Sequence, residues 1–179
     1  MDVSEPVRSL AWEFQMKDQI ARYFQAEKFE SALFVLAAAA AIAISILLIN
    51  SASEYRWIAV PLIAIALIQI VVGGTVLART NRQVDRLTNQ LDTDPLDYRA
   101  QELQRMDRVQ RNFKLYEAIE ITLLLGGIAL SYFMRSRIDW YAVGIGFIAQ
   151  SALMLVFDLV AAHRAEVYVD HIRRLVSAA

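Results

Sequence analysis

Four long apolar runs, at 31–50, 57–78, 115–134 and 140–162, dominate a chain of only 179 residues. Each is close to the ~20 residues that an α-helix needs to cross a hydrocarbon core. A soluble protein can hide one such helix in its interior. Four of them leave too little polar surface to dissolve the fold, and 57% hydrophobic residues with a mean hydropathy of +0.37 point the same way. The reading is an all-α, polytopic membrane protein with four transmembrane helices.

Charge sets the orientation. Arg8, Lys17, Arg22 and Lys28 precede the first run, eight Lys or Arg lie between Arg79 and Lys114, and Arg164, Arg173 and Arg174 follow the last. The other two connections hold only Arg56, Arg135 and Arg137. By the positive-inside rule the N- and C-termini and the central segment are cytoplasmic, which places the chain in the inner (cytoplasmic) membrane as a multi-pass protein. Tyr55, Trp57, Tyr132, Trp140 and Tyr141 would ring the outer interface, and Tyr23, Phe113, Tyr116 and Tyr168 the inner one. Residues 1–6 are acidic and the first apolar run starts late, so the first span reads as an uncleaved anchor. The absence of cysteine removes disulfides, thiolate metal sites and cysteine nucleophiles.

The sequence also resembles itself. At an offset of 90, Met16 pairs with Met106, Tyr23 with Phe113, Glu27 with Glu117 and Glu30 with Glu120; beyond the unequal outer loops the offset is 85, pairing Arg79 with Arg164 and Asp85 with Asp170. This predicts two repeated helical hairpins with cytoplasmic helical extensions. The first repeat is 1–90, with an amphipathic helix, spans at about 31–50 and 57–78 and a cytoplasmic extension. The second is 91–179, with a cytoplasmic helix, spans at about 115–134 and 140–162 and a C-terminal helix. Two spans per unit keep both copies in one orientation, related by a pseudo-two-fold axis along the membrane normal.

Outside the spans, Ser4-Glu5-Pro6 reads as a helix start, followed by Val7, Leu10, Phe14 and Met16 along a surface helix. Asp94-Pro95 resets the chain between a Val84, Leu87, Leu91 stripe and a Leu103, Met106, Val109, Phe113, Tyr116 stripe. All six glycines fall in the spans, where small residues let backbones approach within the bundle or between protomers.

Chemistry concentrates in two Glu-x-x-Glu pairs, Glu27/Glu30 and Glu117/Glu120, each at the inner foot of a span. After Glu120 only residues 121–134 precede Arg135, about 21 Å of helix against a hydrocarbon core of ~30 Å. Glu120 therefore lies inside the inner boundary, at a depth similar to Asp158. Glu30 shares that depth only if the repeat is real. A spacing of three puts each pair on one helical face, and His163 and Glu166 share a face of the last helix. Asp158 points some 140° from His163 and is hard to align with it.

The candidate metal site is thus Glu27, Glu30, Glu117 and Glu120, with His163 and Glu166 as auxiliary ligands. Oxygen donors suit Mg²⁺, Ca²⁺ or Mn²⁺, and a histidine shifts the preference toward Mn, Fe or Zn. Ionisable groups at membrane depth mark sites that bind or move something, so the leading reading is a cation channel or transporter. The alternative is a non-catalytic membrane scaffold whose cytoplasmic helices bind a protein partner and whose glutamates meet arginines such as Arg79, Arg111 and Arg164. A membrane di-metal oxidoreductase would need Glu-x-x-His on two helices, and only His163-x-x-Glu166 is present. No phosphate loop or nucleophile with a neighbouring base is visible. Expected partners are the lipid bilayer and further copies of the chain as a homo-oligomer; nucleic acid is not among them.

Overall fold

The computed structural model describes residues 4–51 and 53–176, and the side chains of 12–51 and 53–174. It is all-helical among these residues. Helix α1 spans Ser4–Asn50, α2 Ala59–Thr93, α3 Pro95–Phe133 and α4 Ile138–Val176, with a 3₁₀ turn at Glu54–Ile58 ahead of α2. The expected helix over the first residues is not a separate surface element: α1 continues through it into the first apolar run as one helix of 47 residues. The side chains of Ser4, Val7 and Leu10 lie outside the described set, while Phe14 is exposed and Met16 buried.

The connections are local and their chemistry is visible. Ser53 caps the 3₁₀ turn by accepting a hydrogen bond from the Tyr55 amide at 3.1 Å. Asp94, extended before Pro95 as pre-proline residues must be, caps α3 by accepting from the Asp97 amide at 3.0 Å. Gln90 and Gln101 then close over the Asp97 carboxylate at 3.0 and 2.8 Å, so a single non-helical residue joins α2 to α3.

The result is two helical hairpins laid side by side. Within each hairpin the helices pack along their length; between hairpins α4 touches both α1 and α2, whereas the backbones of α1 and α3 stay apart. At 35 to 47 residues the helices are about 52 to 70 Å long, roughly twice the thickness of a hydrocarbon core. Among the described residues three stretches, Trp12–Asn50, Glu54–Thr93 and Ile138–Arg174, are long and apolar enough to cross a membrane. Helix α3, which carries the expected 115–134 span, is outside this set, although it packs against α4.

Packing divides the bundle into two zones with opposite logic. In the polar half, large apolar side chains are buried together: Met16, Ile20 and Phe24 from α1, Leu87 and Leu91 from α2, Met106 from α3, and Val169 and Ile172 from α4. That is what water drives. In the apolar half the interior holds Ala38, Ala41, Leu62 and Ala66, and the large residues Leu36, Leu47, Val60, Val71, Leu125 and Val156 face outward. An outward apolar face around a small-residue interior is the pattern of a protein embedded in lipid, where association rests on close packing. At Gly127 a Cβ would lie 2.9 Å from the Gly144 carbonyl oxygen, and at Gly146 it would lie 2.5 Å from the Pro61 ring. Only glycine permits those approaches.

Candidate functional site

The structure sorts the expected acidic residues into separate environments. Glu27, on α1, faces Arg79 of α2 at 3.9 Å. Glu30, one turn on, forms an ion pair with Arg164 of α4, whose guanidinium also lies 5.3 Å over the Tyr23 ring. His163 and Glu166 are exposed. Among the described residues no three His, Cys, Asp or Glu side chains come together in a way that could hold a metal ion. The six expected ligands are therefore not one cluster within a single chain.

Glu120 stands apart from the other glutamates. It is 1% exposed, and both of its carboxylate oxygens lack a hydrogen-bond donor among the described residues. The side chains that act on it electrostatically are acids: Asp158 of α4, and Glu117, one turn below, each add a like charge. With both ionised neither can donate to the other, whereas one retained proton would let one carboxyl donate to its neighbour. None of the ion pairs among the described residues brings an Arg or Lys to Glu117, Glu120 or Asp158.

The asymmetry is sharp in terms of the offsets in the sequence. Arg79 reaches Glu27, but Arg164, its counterpart 85 residues on, reaches across to Glu30 rather than to Glu117. Gly73, the counterpart of Asp158, has no carboxylate; a Cβ there would already meet Val35 at 2.7 Å. The acid pair thus exists only in the α3/α4 hairpin.

Farther toward the loop end, Gln150 donates to Gln69 at 2.6 Å, and both are buried. The Gln69 amide nitrogen and the Ser151 hydroxyl, also buried, have no hydrogen-bond partner among the described residues. Seven residues separate Ser151 from Asp158, about 10 Å of helix on nearly the same face. Ser45 and Thr80 are buried polar residues too, but their hydroxyls donate to the Ala41 and Val76 carbonyls of their own helices.

A second polar cluster, in the polar-end core, was not anticipated from the sequence. Glu102 is 1% exposed and takes two hydrogen bonds from Arg105, Nε to Oε2 at 2.7 Å and Nη2 to Oε1 at 2.6 Å. The Tyr168 hydroxyl donates to the same carboxylate at 3.1 Å, which leaves Tyr98, 3.0 Å away, to donate to Tyr168. Tyr168 stacks on Tyr23 with ring centroids 4.3 Å apart, and Arg105 covers Phe24. Burial works against the Arg105 charge, but the hydrogen bonds and charge of Glu102 outweigh it and raise its pKa. Every member is partnered, so this is a cross-braced structural network and not a vacant site. The available signal was Glu102 and Arg105 flanking the apolar stripe of Leu103 and Met106.

Comparison with protein-family models, curated proteins and solved structures gives no match. The functional reading therefore rests on the geometry.

Proposed function

We propose that the protein is a cation-binding integral membrane protein of the channel or transporter class, with its site contracted to the Glu120–Asp158 pair and flanked by Glu117. One observation carries the reading: Glu120 is buried with neither oxygen hydrogen-bonded among the described residues and acids for company, while Glu30 pairs with Arg164, and Glu27, one of whose oxygens is also without a hydrogen bond, lies 3.9 Å from Arg79. An uncompensated buried carboxylate costs several kcal/mol, roughly, so such a group holds a proton or receives a cation. Two carboxyls do not make a cage for Zn²⁺ or Fe²⁺. They suit a cation that keeps its own waters, as Mg²⁺ does, or a small monovalent one. Ca²⁺ and Mn²⁺ would need further oxygens, from water or a second copy of the chain. The Gln69–Gln150 pair and Ser151 are the polar groups through which a route would continue.

The same reading places the polar half in the cytoplasm with both termini, in an inner membrane, because the basic residues gather there. The two-hairpin architecture supports the internal repeat. A homo-oligomer would multiply the acid pair around a shared axis.

The test has two stages. Elemental analysis and thermal stability are measured with Mg²⁺, Ca²⁺, Mn²⁺, Fe²⁺ and Zn²⁺, since an ion bound to the native state raises the melting temperature with its concentration. Flux of protons, Na⁺, K⁺ and the divalent ions is then followed in proteoliposomes. Glu120→Gln and Asp158→Asn should each abolish the active flux; flux that survives both, or no ion effect in either stage, sinks the proposal.

The scaffold reading has its own support: two glutamates already hold arginines, and the polar-end bundle is closely packed. Under it, no cation alters stability, and a soluble protein is retained by the polar end.

A further inference from the structure

At the loop end, where α1 ends beside the 3₁₀ turn and the first turns of α2, a cavity of about 290 Å³ opens on the apolar surface. It is lined by Ile49, Arg56, Trp57, Ala59, Val60 and Ile63. Apart from Arg56 the lining is apolar or aromatic, and Ile49, Trp57 and Val60 are exposed on the face that lipid would cover.

Arg56 gives the slot its chemistry. Its guanidinium lies 5.7 Å over the Trp57 ring, and no ion pair among the described residues brings it a carboxylate. The backbone holds it at the rim: its amide donates to the Ser53 carbonyl at 3.1 Å, and its own carbonyl accepts from the Ala59 amide. An apolar slot, a cation without a counter-ion and an indole thus meet at the depth where headgroups replace acyl chains. A guanidinium there is matched to phosphate, and Trp prefers that level.

We propose that this slot binds one phospholipid, with an acyl chain against Ile49, Val60 and Ile63, the phosphate on Arg56, and the Trp57 indole at the glycerol level. A net-negative headgroup is favoured over a zwitterionic one because a quaternary ammonium would offset the phosphate that Arg56 holds. The site is independent of the acid pair at the other end of the bundle.

The probes are phosphatidylglycerol, phosphatidylcholine and inorganic phosphate, added to delipidated protein in neutral detergent. Melting temperature and native mass are read for each. Phosphatidylglycerol should raise the melting temperature more than phosphatidylcholine and leave one lipid adduct per chain; inorganic phosphate should do neither. Arg56→Gln should weaken phosphatidylglycerol binding roughly fivefold and erase its advantage over phosphatidylcholine. Val60→Trp, which fills the slot from an exposed position, should remove the response to both lipids. Arg135→Gln, in the other loop, should change neither. The proposal fails if Arg56→Gln keeps the full phosphatidylglycerol advantage, if phosphate alone reproduces the shift, or if the mass shows a second chain in place of a lipid.

Discussion

Removing Glu102 would leave Arg105 in the polar-end core with two of its hydrogen-bond acceptors gone and 18% of its side chain exposed. Breaking a buried ion pair on one side costs about 3–5 kcal/mol, because the surviving charge is uncompensated. Tyr168 would lose its acceptor too, adding about 1 kcal/mol for an unmet hydroxyl. Glu102→Ala is therefore expected to destabilise by about 4–6 kcal/mol. Glu102→Leu with Arg105→Leu should cost far less, since both charges leave together and the site is already apolar on the Phe24 and Met106 sides. Trp12 packs against this core, so in a Trp57→Phe, Trp140→Phe background its fluorescence reports the polar end alone. Denaturant titration in detergent, followed at Trp12, gives the two values. A Glu102→Ala cost below about 1 kcal/mol, or a double variant less stable than the single one, refutes the claim that these charges brace the core.

Further outcomes follow from the same geometry. Gly127→Ala and Gly146→Ala force neighbouring backbone or Pro61 to move and should lower the melting temperature, whereas Gly74→Ala and Gly126→Ala, with nothing within 4 Å of the new Cβ, should hold it or raise it by helix propensity; equal effects at all four positions would discount close helix approach. Burial pushes the Tyr23 phenol from 10.0 up to about 12, so its contribution to stability is full below pH 10 and is lost as pH climbs through about 12; burial raises Tyr98 and Tyr168 too, and their contributions have the same sign. Tyrosinate absorbance should show late ionisation that coincides with the Trp12 transition and moves when Tyr98 and Tyr168 become Phe. Glu120→Gln should leave stability unchanged or higher by up to about 2 kcal/mol while abolishing cation binding, because it removes an uncompensated buried charge; a marked loss of stability would mean that the carboxylate has a partner.

Periodicity and composition read the helices well, because lipid leaves helices as almost the only way to satisfy a backbone. Asp94-Pro95 fixed the α2–α3 boundary to the residue. The first helix was harder: Phe14 and Met16 suggested a surface element, yet nothing between Met16 and Glu30 breaks a helix, and the chain runs on. In the candidate site, spacing placed Glu27 with Glu30 and Glu117 with Glu120 on common faces, and the arginine alternative named Arg79 and Arg164. Which arginine reaches which glutamate depends on how two hairpins dock, and no local pattern carries that. The angle between Asp158 and His163 leaves Asp158 hard to place from the sequence, because its relevant neighbour, Glu120, is on another helix. Glu102 and Arg105 escaped notice because a charged residue beside an amphipathic stripe usually faces water.

Helices about twice as long as a bilayer is thick make the molecule a set of levers with their fulcrum where the apolar half meets the polar half. The segments beyond the apolar runs, such as the last 14 residues of α4, extend about 21 Å without a hinge. A tilt of about 5° within the membrane would swing such an arm by about 2 Å at its tip. Because one residue, Asp94, couples the arms of α2 and α3, neither hairpin could rock without dragging the other. Any shift of α3 against α4 near Glu120 and Asp158 would then be felt mechanically among Leu91, Tyr98 and Tyr168.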